Sequence, residues 1–209
     1  AAGGTDRTVR LYCAQLEPAT AHFSGLGSSA SSLLGSTLAH FQEAAHITTK
    51  ADVLSLALDP TGTTLAVGGE SNLAEIWSLS KPDDRGQIHT QRLQQIDIGS
   101  DVHGLALAPR AVSAGGGLFL ALGGSETTHL FSLVARRGAA PSSSPTIDVE
   151  PLLDFDHEAH QGGVALSESG STVAIAGDHT VTLLDTSTGA MMRPAHRDRR
   201  LRRGGLSPD

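Results

Sequence analysis

At 209 residues, with 39% hydrophobic and only 3% aromatic side chains, the chain is long enough for one ordinary domain or one large all-β domain, with a core built from Val, Leu, Ile and Ala. One cysteine, Cys13, excludes an internal disulfide and a cysteine-rich zinc site; no apolar run approaches the roughly 20 residues of a membrane span, and the opening has no charged-then-apolar leader, so an intracellular location, cytoplasmic or nuclear, is expected. The net charge of −7 is unevenly placed: Arg193 to Arg203, with six Arg and one Asp, sums to +5 and leaves −12 on the rest.

The chain opens on "AAGGTDRTVRLY", the end of one short strand, a polar turn at Thr5-Asp6-Arg7, and a second strand from Thr8 to Tyr12. Cys13 to Thr37 follows, rich in Ser and Gly, and reads as an insertion before a more polar strand at Leu38 to Ala45. "GLGSSA" (Gly25 to Ala30) fits a dinucleotide fingerprint by letter, but no strand–helix–strand unit surrounds it, so it reads as part of that insertion.

From Asp52 the opening pattern returns in fuller form. "DVLSLALDPTGTTLAVGGESNLAEIW" (Asp52 to Trp77) gives two period-2 apolar runs around a turn at Gly62, then a polar turn and a third run, with an outer strand expected at Ile88 to Ile98. Asp101 to Phe131 repeats this with about six extra residues at the first turn, Val112 to Gly117, and an outer strand at Ile147 to Asp156. Gly162 to Leu184 repeats it again with a turn at Gly170, followed by Ala190 to His196. Aligning the copies makes Tyr12, Trp77, Phe131 and Leu184 equivalent, spaced 65, 54 and 53 residues apart, and puts Asp6 and Asp178 in the same turn. No helical period is sustained, and four strands per unit at this spacing point to propeller blades.

With Gly3 to Tyr12 and Asp59 to Trp77 as its carriers, the sequence resembles the WD-repeat β-propellers. That resemblance implies an all-β propeller of four-stranded antiparallel blades, about three and a half of them here. The units are 1–51 (second half of a blade with an insertion at about 13–37), 52–100, 101–160 (with the insertion at about 112–117) and 161–196, followed by a basic tail, 197–209. Three and a half blades do not close a ring, so residues upstream or a neighbouring chain are expected to complete it. No unit has the Gly-His pair that usually precedes a blade's innermost strand in this family, and no Trp is followed by Asp. Blade stability is therefore expected to rest on apolar packing, at roughly 25 cal/mol per Å² buried.

No set of residues converges on catalysis. "DHEAH" (Asp156 to His160) spaces its two histidines three apart in a connection between strands, whereas a zinc protease needs them four apart on a helix. Asp83-Asp84 reads as a solvated turn. No cofactor, metal or enzymatic activity is expected. The resemblance implies a scaffold that holds other protein subunits. The alternative is a ribonucleoprotein component whose tail, through Arg193, Arg197, Arg199, Arg200, Arg202 and Arg203, contacts RNA phosphates or an acidic partner. An enzyme with a site on the propeller face is the third reading.

Overall fold

The computed structural model describes residues 1–17, 38–111, 116–136, 146–157, 163–177 and 180–196; the side chains of 15–17, 38–39 and 193–196 are not considered. The insertion residues 18–37 and 112–115, the turn residue Asp178 and the tail 197–209 lie outside this set. All regular structure among the described residues is β, in four antiparallel sheets taken in chain order. The first holds β1 (Ala2–Gly3), β2 (Thr8–Glu17) and β3 (Leu38–Thr48). The second holds β4 (Val53–Leu58), β5 (Thr64–Gly69), β6 (Leu73–Leu79) and β7 (Thr90–Asp97). The third holds β8 (Gly104–Pro109), β9 (Leu118–Gly123), β10 (Thr127–Arg136) and β11 (Thr146–Asp156). The fourth holds β12 (Gly163–Leu166), β13 (Thr172–Ala176), β14 (Thr180–Asp185) and β15 (Met191–His196). Each is a consecutive meander, so every strand pairs with its neighbour in sequence. The fold is that of a partial β-propeller of about three and a half blades. In the first blade the third strand runs on through Glu17, beyond the Tyr12 that ends its apolar pattern.

Local chemistry sets the turns. In the second blade the Asp59 carboxylate accepts hydrogen bonds from the backbone N–H of Thr61 (3.2 Å), Thr63 (2.7 Å) and Thr64 (2.7 Å) and from the Thr61 hydroxyl, while Gly62 sits at φ 70°. The fourth blade builds the same turn from Ser167, whose hydroxyl accepts from Thr172 N–H at 3.1 Å, and from Gly170 at φ 69°. Only a residue without a Cβ takes that left-handed conformation without strain.

A second repeated device lies in the outer strands. Register slips by one residue between Leu11 and Tyr12, between Ile76 and Trp77, between Leu130 and Phe131, and between Leu183 and Leu184. The extra residue is always on the outermost strand: Ala44, Leu93, Leu152 or Met192. Such a β-bulge turns the strand's side-chain alternation over to the opposite sheet face.

Three apolar clusters fill the spaces between successive sheets. Val9, Leu11 and Ile47 of the first meet Val53, Leu65, Val67 and Leu79 of the second, with Trp77 packed against them. Ala66, Ala74, Ile76 and Ile96 of the second meet Leu105, Leu120, Leu122 and Leu133 of the third, with Phe131 alongside. Phe119, Ala121 and Leu130 of the third meet Val173, Ile175 and Leu184 of the fourth. The second and third sheets therefore each have one face toward the blade before and one toward the blade after.

Candidate interaction surfaces

The junctions between blades fix where the loops stand. Val53 N–H donates to the Gly4 carbonyl (3.2 Å), and Val102 N–H donates to the Gly69 carbonyl (3.0 Å), so the second and third blades are each tied at the first strand to the hairpin of the blade before. Gly3 and Gly68 lie at those contacts. A Cβ on Gly3 would stand 2.7 Å from Val53 Cγ1, and one on Gly68 would stand 2.7 Å from Val102 Cβ. Glycine is needed here for close approach, which explains the recurrent Gly-Gly. Ala176 holds the same position in the fourth blade and is exposed.

At the end of the strands that carries these ties, the turns between second and third strands meet the links to the next blade. That end bears Asp6, Asp52, Glu70, Asp97, Asp101, Glu126 and Asp156, against Arg7 and Lys50, among the described residues. The opposite end is mixed, with Lys81, Arg85 and Arg110 beside Asp83, Asp84, Glu168 and Asp185. The −12 of the chain body is thus concentrated in part on one loop face.

The residues singled out from the sequence fall in different settings. Asp6 is exposed; it accepts from Thr8 N–H (3.1 Å) and pairs with Arg10 (2.8 Å), and that guanidinium holds its carboxyl below the usual range. Tyr12, Trp77, Phe131 and Leu184 all follow the outer-strand bulges, and all lie on the face toward the preceding blade. Leu184 is 1% exposed and Tyr12 is 42% exposed. The Trp77 indole N–H donates to Glu75 Oε2 (3.1 Å), two residues back on its own strand. Arg193 lies in β15; Asp178 and Arg197, Arg199, Arg200, Arg202 and Arg203 lie outside the described residues. The "GLGSSA" segment also lies outside them.

The chemistry-like motifs do structural work where they are described. Asp83 closes its own turn by accepting from Arg85 N–H (2.9 Å) and Gln87 N–H (2.8 Å), and these bonds lower its pKa. His157 of "DHEAH" shares a 3.1 Å hydrogen bond with the Thr128 hydroxyl through Nε2, while its Nδ1 is buried without a partner among the described residues. No group of three metal-ligating side chains forms among the described residues.

Two polar nodes escape the sequence pattern. Glu75 is buried and gathers Trp77, Arg92 Nη1 (3.3 Å) and Gln95 Nε2 (2.8 Å). Arg110 donates from Nη1 to the buried Ser132 hydroxyl (2.6 Å) and lies 5.8 Å from the Phe119 ring centroid. Glu75 is followed at i+2 by the indole it binds, but Arg92 and Gln95 join only once β7 pairs with β6.

Comparisons with known proteins agree with this architecture. Residues 35–78 match the family described as "WD domain, G-beta repeat". That stretch starts before the outer strand of the first blade and ends within the third strand of the second, one residue short of Leu79, so the sequence repeat straddles two sheets. No match was found among curated protein sequences. The structure is similar to that of Chaetomium thermophilum Sqt1, solved bound to the N-terminus of the ribosomal protein L10, with a TM-score of 0.56 and 17% identity. The likeness covers 75% of this chain and 41% of that one, so this chain spans about two fifths of the length of that protein. No helix among the described residues is long and apolar enough to cross a membrane. The four-stranded meander repeated around apolar junctions and the likeness to a solved structure show a β-propeller type of fold, in which residues 35–78 carry the matched WD repeat.

Proposed function

We propose that the chain is a non-catalytic scaffold that holds other proteins as a subunit of a larger assembly. The observation that carries this reading is the division of labour in each blade. Hydrogen-bonded strands with buried junctions form the body, and turns from successive blades converge at one end to make a broad acidic face. A rigid body presenting many loops suits multivalent protein contact, and clustered negative charge favours partners with basic segments and speeds their approach. The solved relative, itself bound to a ribosomal protein segment, supports the reading by analogy of fold.

The test is partner capture by the purified chain, compared with a Glu70→Lys/Glu126→Lys variant. Both side chains are exposed, so the variant keeps its fold. Capture by the chain that weakens in the variant and at high salt supports the scaffold and its acidic face. If neither protein captures any partner, the reading fails.

The RNA reading rests on the Arg-rich stretch alone, because the acidic face repels phosphate. It requires RNA binding whose affinity falls steeply with salt and is lost on deleting residues 193–209. Binding that survives the deletion would remove it.

A further inference from the structure

We propose that the cleft between the link Thr49 to Val53 and the second sheet receives a lysine side chain from a partner's basic segment. This rests on the reading of the acidic loop face as a surface for partner proteins. It goes further by naming the side chain taken and the place that takes it.

The cleft measures about 300 Å³ and opens to solvent. Backbone ties fix its outer wall. Thr49 N–H donates to the Arg7 carbonyl (2.9 Å), Val53 N–H to the Gly4 carbonyl (3.2 Å), and Glu70 N–H to the Asp52 carbonyl (3.2 Å). The next junction repeats the scheme: Ile98 N–H donates to the Asn72 carbonyl (3.0 Å) and Val102 N–H to the Gly69 carbonyl (3.0 Å). Thr49 and Ile98 are therefore equivalent, each four residues before the valine that opens the next blade. Ile98 packs against the apolar cluster of its junction, whereas Thr49 donates its hydroxyl to the Ala51 carbonyl (2.8 Å). The shorter, polar side chain leaves a space that isoleucine takes up at the next junction.

The lining suits a lysine. Val53, Val67 and Leu73 give apolar walls for its methylene stem. Glu75 also lines the cleft, and its side chain is 10% exposed. Its Oε1 accepts from Arg92 and Gln95, and its Oε2 accepts from Trp77. A carboxylate has about four acceptor positions, so one remains, on Oε2. An ammonium needs only one such oxygen and can place its other donors on hydroxyls, here those of Thr49 and Ser71 in the lining. A guanidinium fork needs both oxygens open, and Oε1 already accepts two bonds. Arg92, which shares Glu75, is half-exposed and screened by solvent, so the buried carboxylate still attracts a second cation. Lys50 and Asp52 of the link bring one charge of each sign, and Lys50 is exposed. Glu70, exposed in the adjoining turn, adds negative charge on the approach.

The probe is pentalysine, titrated calorimetrically into the 209-residue chain at about 50 mM salt, where surface charge is weakly screened. Emission of the sole tryptophan is a second readout, because Trp77 shares Glu75 with the bound lysine. Thr49→Ile copies the next junction and fills the cleft while leaving every charge of the loop face in place. Ser71→Leu narrows the cleft from the other wall, and circular dichroism confirms that both variants are folded. Pentalysine is expected to bind the parent, to shift Trp77 emission, and to bind each variant at least about tenfold more weakly, the loss of one charge-assisted hydrogen bond. Fully acetylated pentalysine should not bind, and pentaarginine should bind several-fold less tightly. No binding to the parent overturns the proposal. So does equal affinity for parent and variants, which would mean attraction by face charge alone, and so does pentaarginine that matches pentalysine. Partner capture that Thr49→Ile leaves intact would refute the cleft as the partner's seat and leave the scaffold reading in place. Pentalysine held in the cleft of a chain that captures no partner would remove the scaffold reading alone.

Discussion

Replacing Gly68 with Ala tests the close approach of blades directly. The new methyl would lie 2.7 Å from Val102 Cβ and 3.3 Å from Leu105 Cδ1, and Val102 is fully buried, so neither neighbour has free space to retreat into. Overpacking of this kind costs about 1–3 kcal/mol. Gly→Ala at a site with room gains about 0.4–1 kcal/mol by restricting the unfolded chain, so the net expectation for Gly68→Ala is a loss of roughly 1–2 kcal/mol. Gly163→Ala is the control: its Cβ meets only Ala176 Cβ at 3.5 Å, an ordinary contact, so it should be neutral or stabilising. Val102→Ala alone removes two buried methyl groups and costs roughly 2 kcal/mol. In the double variant the methyl added at Gly68 takes part of the vacated space, giving a favourable coupling of about 1–2 kcal/mol. Urea unfolding midpoints of the four proteins close the cycle. If Gly68→Ala stabilises as Gly163→Ala does, or if the coupling is near zero, the contact does not set the spacing of the blades.

Three further outcomes follow from the polar nodes. Asp59→Ala orphans three backbone N–H groups in a turn where Asp59 itself is 5% exposed, and should cost about 2–4 kcal/mol by urea unfolding, with Asp59→Asn recovering part. Glu75→Ala leaves the indole N–H of the sole tryptophan without its acceptor, so Trp77 emission should shift with a loss of about 2–3 kcal/mol; unchanged emission would refute the bond. His157 has a pKa lowered by burial, opposed by the charge of Asp156, so the native state binds fewer protons than the unfolded chain. Its contribution to stability is whole above the unfolded value near 6.5 and declines as pH falls toward the lowered folded value. The melting temperature should drop between about pH 7.5 and 5.5 in the parent and drop less in His157→Gln; equal slopes would show that His157 does not titrate there.

The repeat was legible because the residues that make turns and approach other blades are chemically constrained. The Asp59-to-Gly62 turn, Gly170 and the Gly-Gly ends of second strands each have a geometric reason to recur, and the period-2 runs around them give the strands. The bulges were hidden, since apolar residues such as Ala44, Leu93, Leu152 and Met192 are ordinary in a strand and an extra residue is visible only against its partner strand. The Glu75 node was hidden for the same reason: residues 17 and 20 positions away complete it. The acidic loop face was only half legible. Net charge announced it, but which carboxylates share an end of the sheets depends on strand direction. Asp6 was legible as a turn residue; its pairing with Arg10, four residues on, shows only once the turn is folded.

The outer-strand bulge makes β11 a tie between three blades. In β11, Ile147 and Val149 pack toward the second blade, whereas Leu153 and Phe155, beyond the bulge, pack toward the fourth. In the second blade the two junctions are served by Ile88, just ahead of β7, and by Ile96 within it. Peeling away one outer strand therefore strips cover from two junctions together. A strand that looks like the most dispensable part of a blade, exposed at the rim and paired on one side only, binds local opening to loss of the whole array.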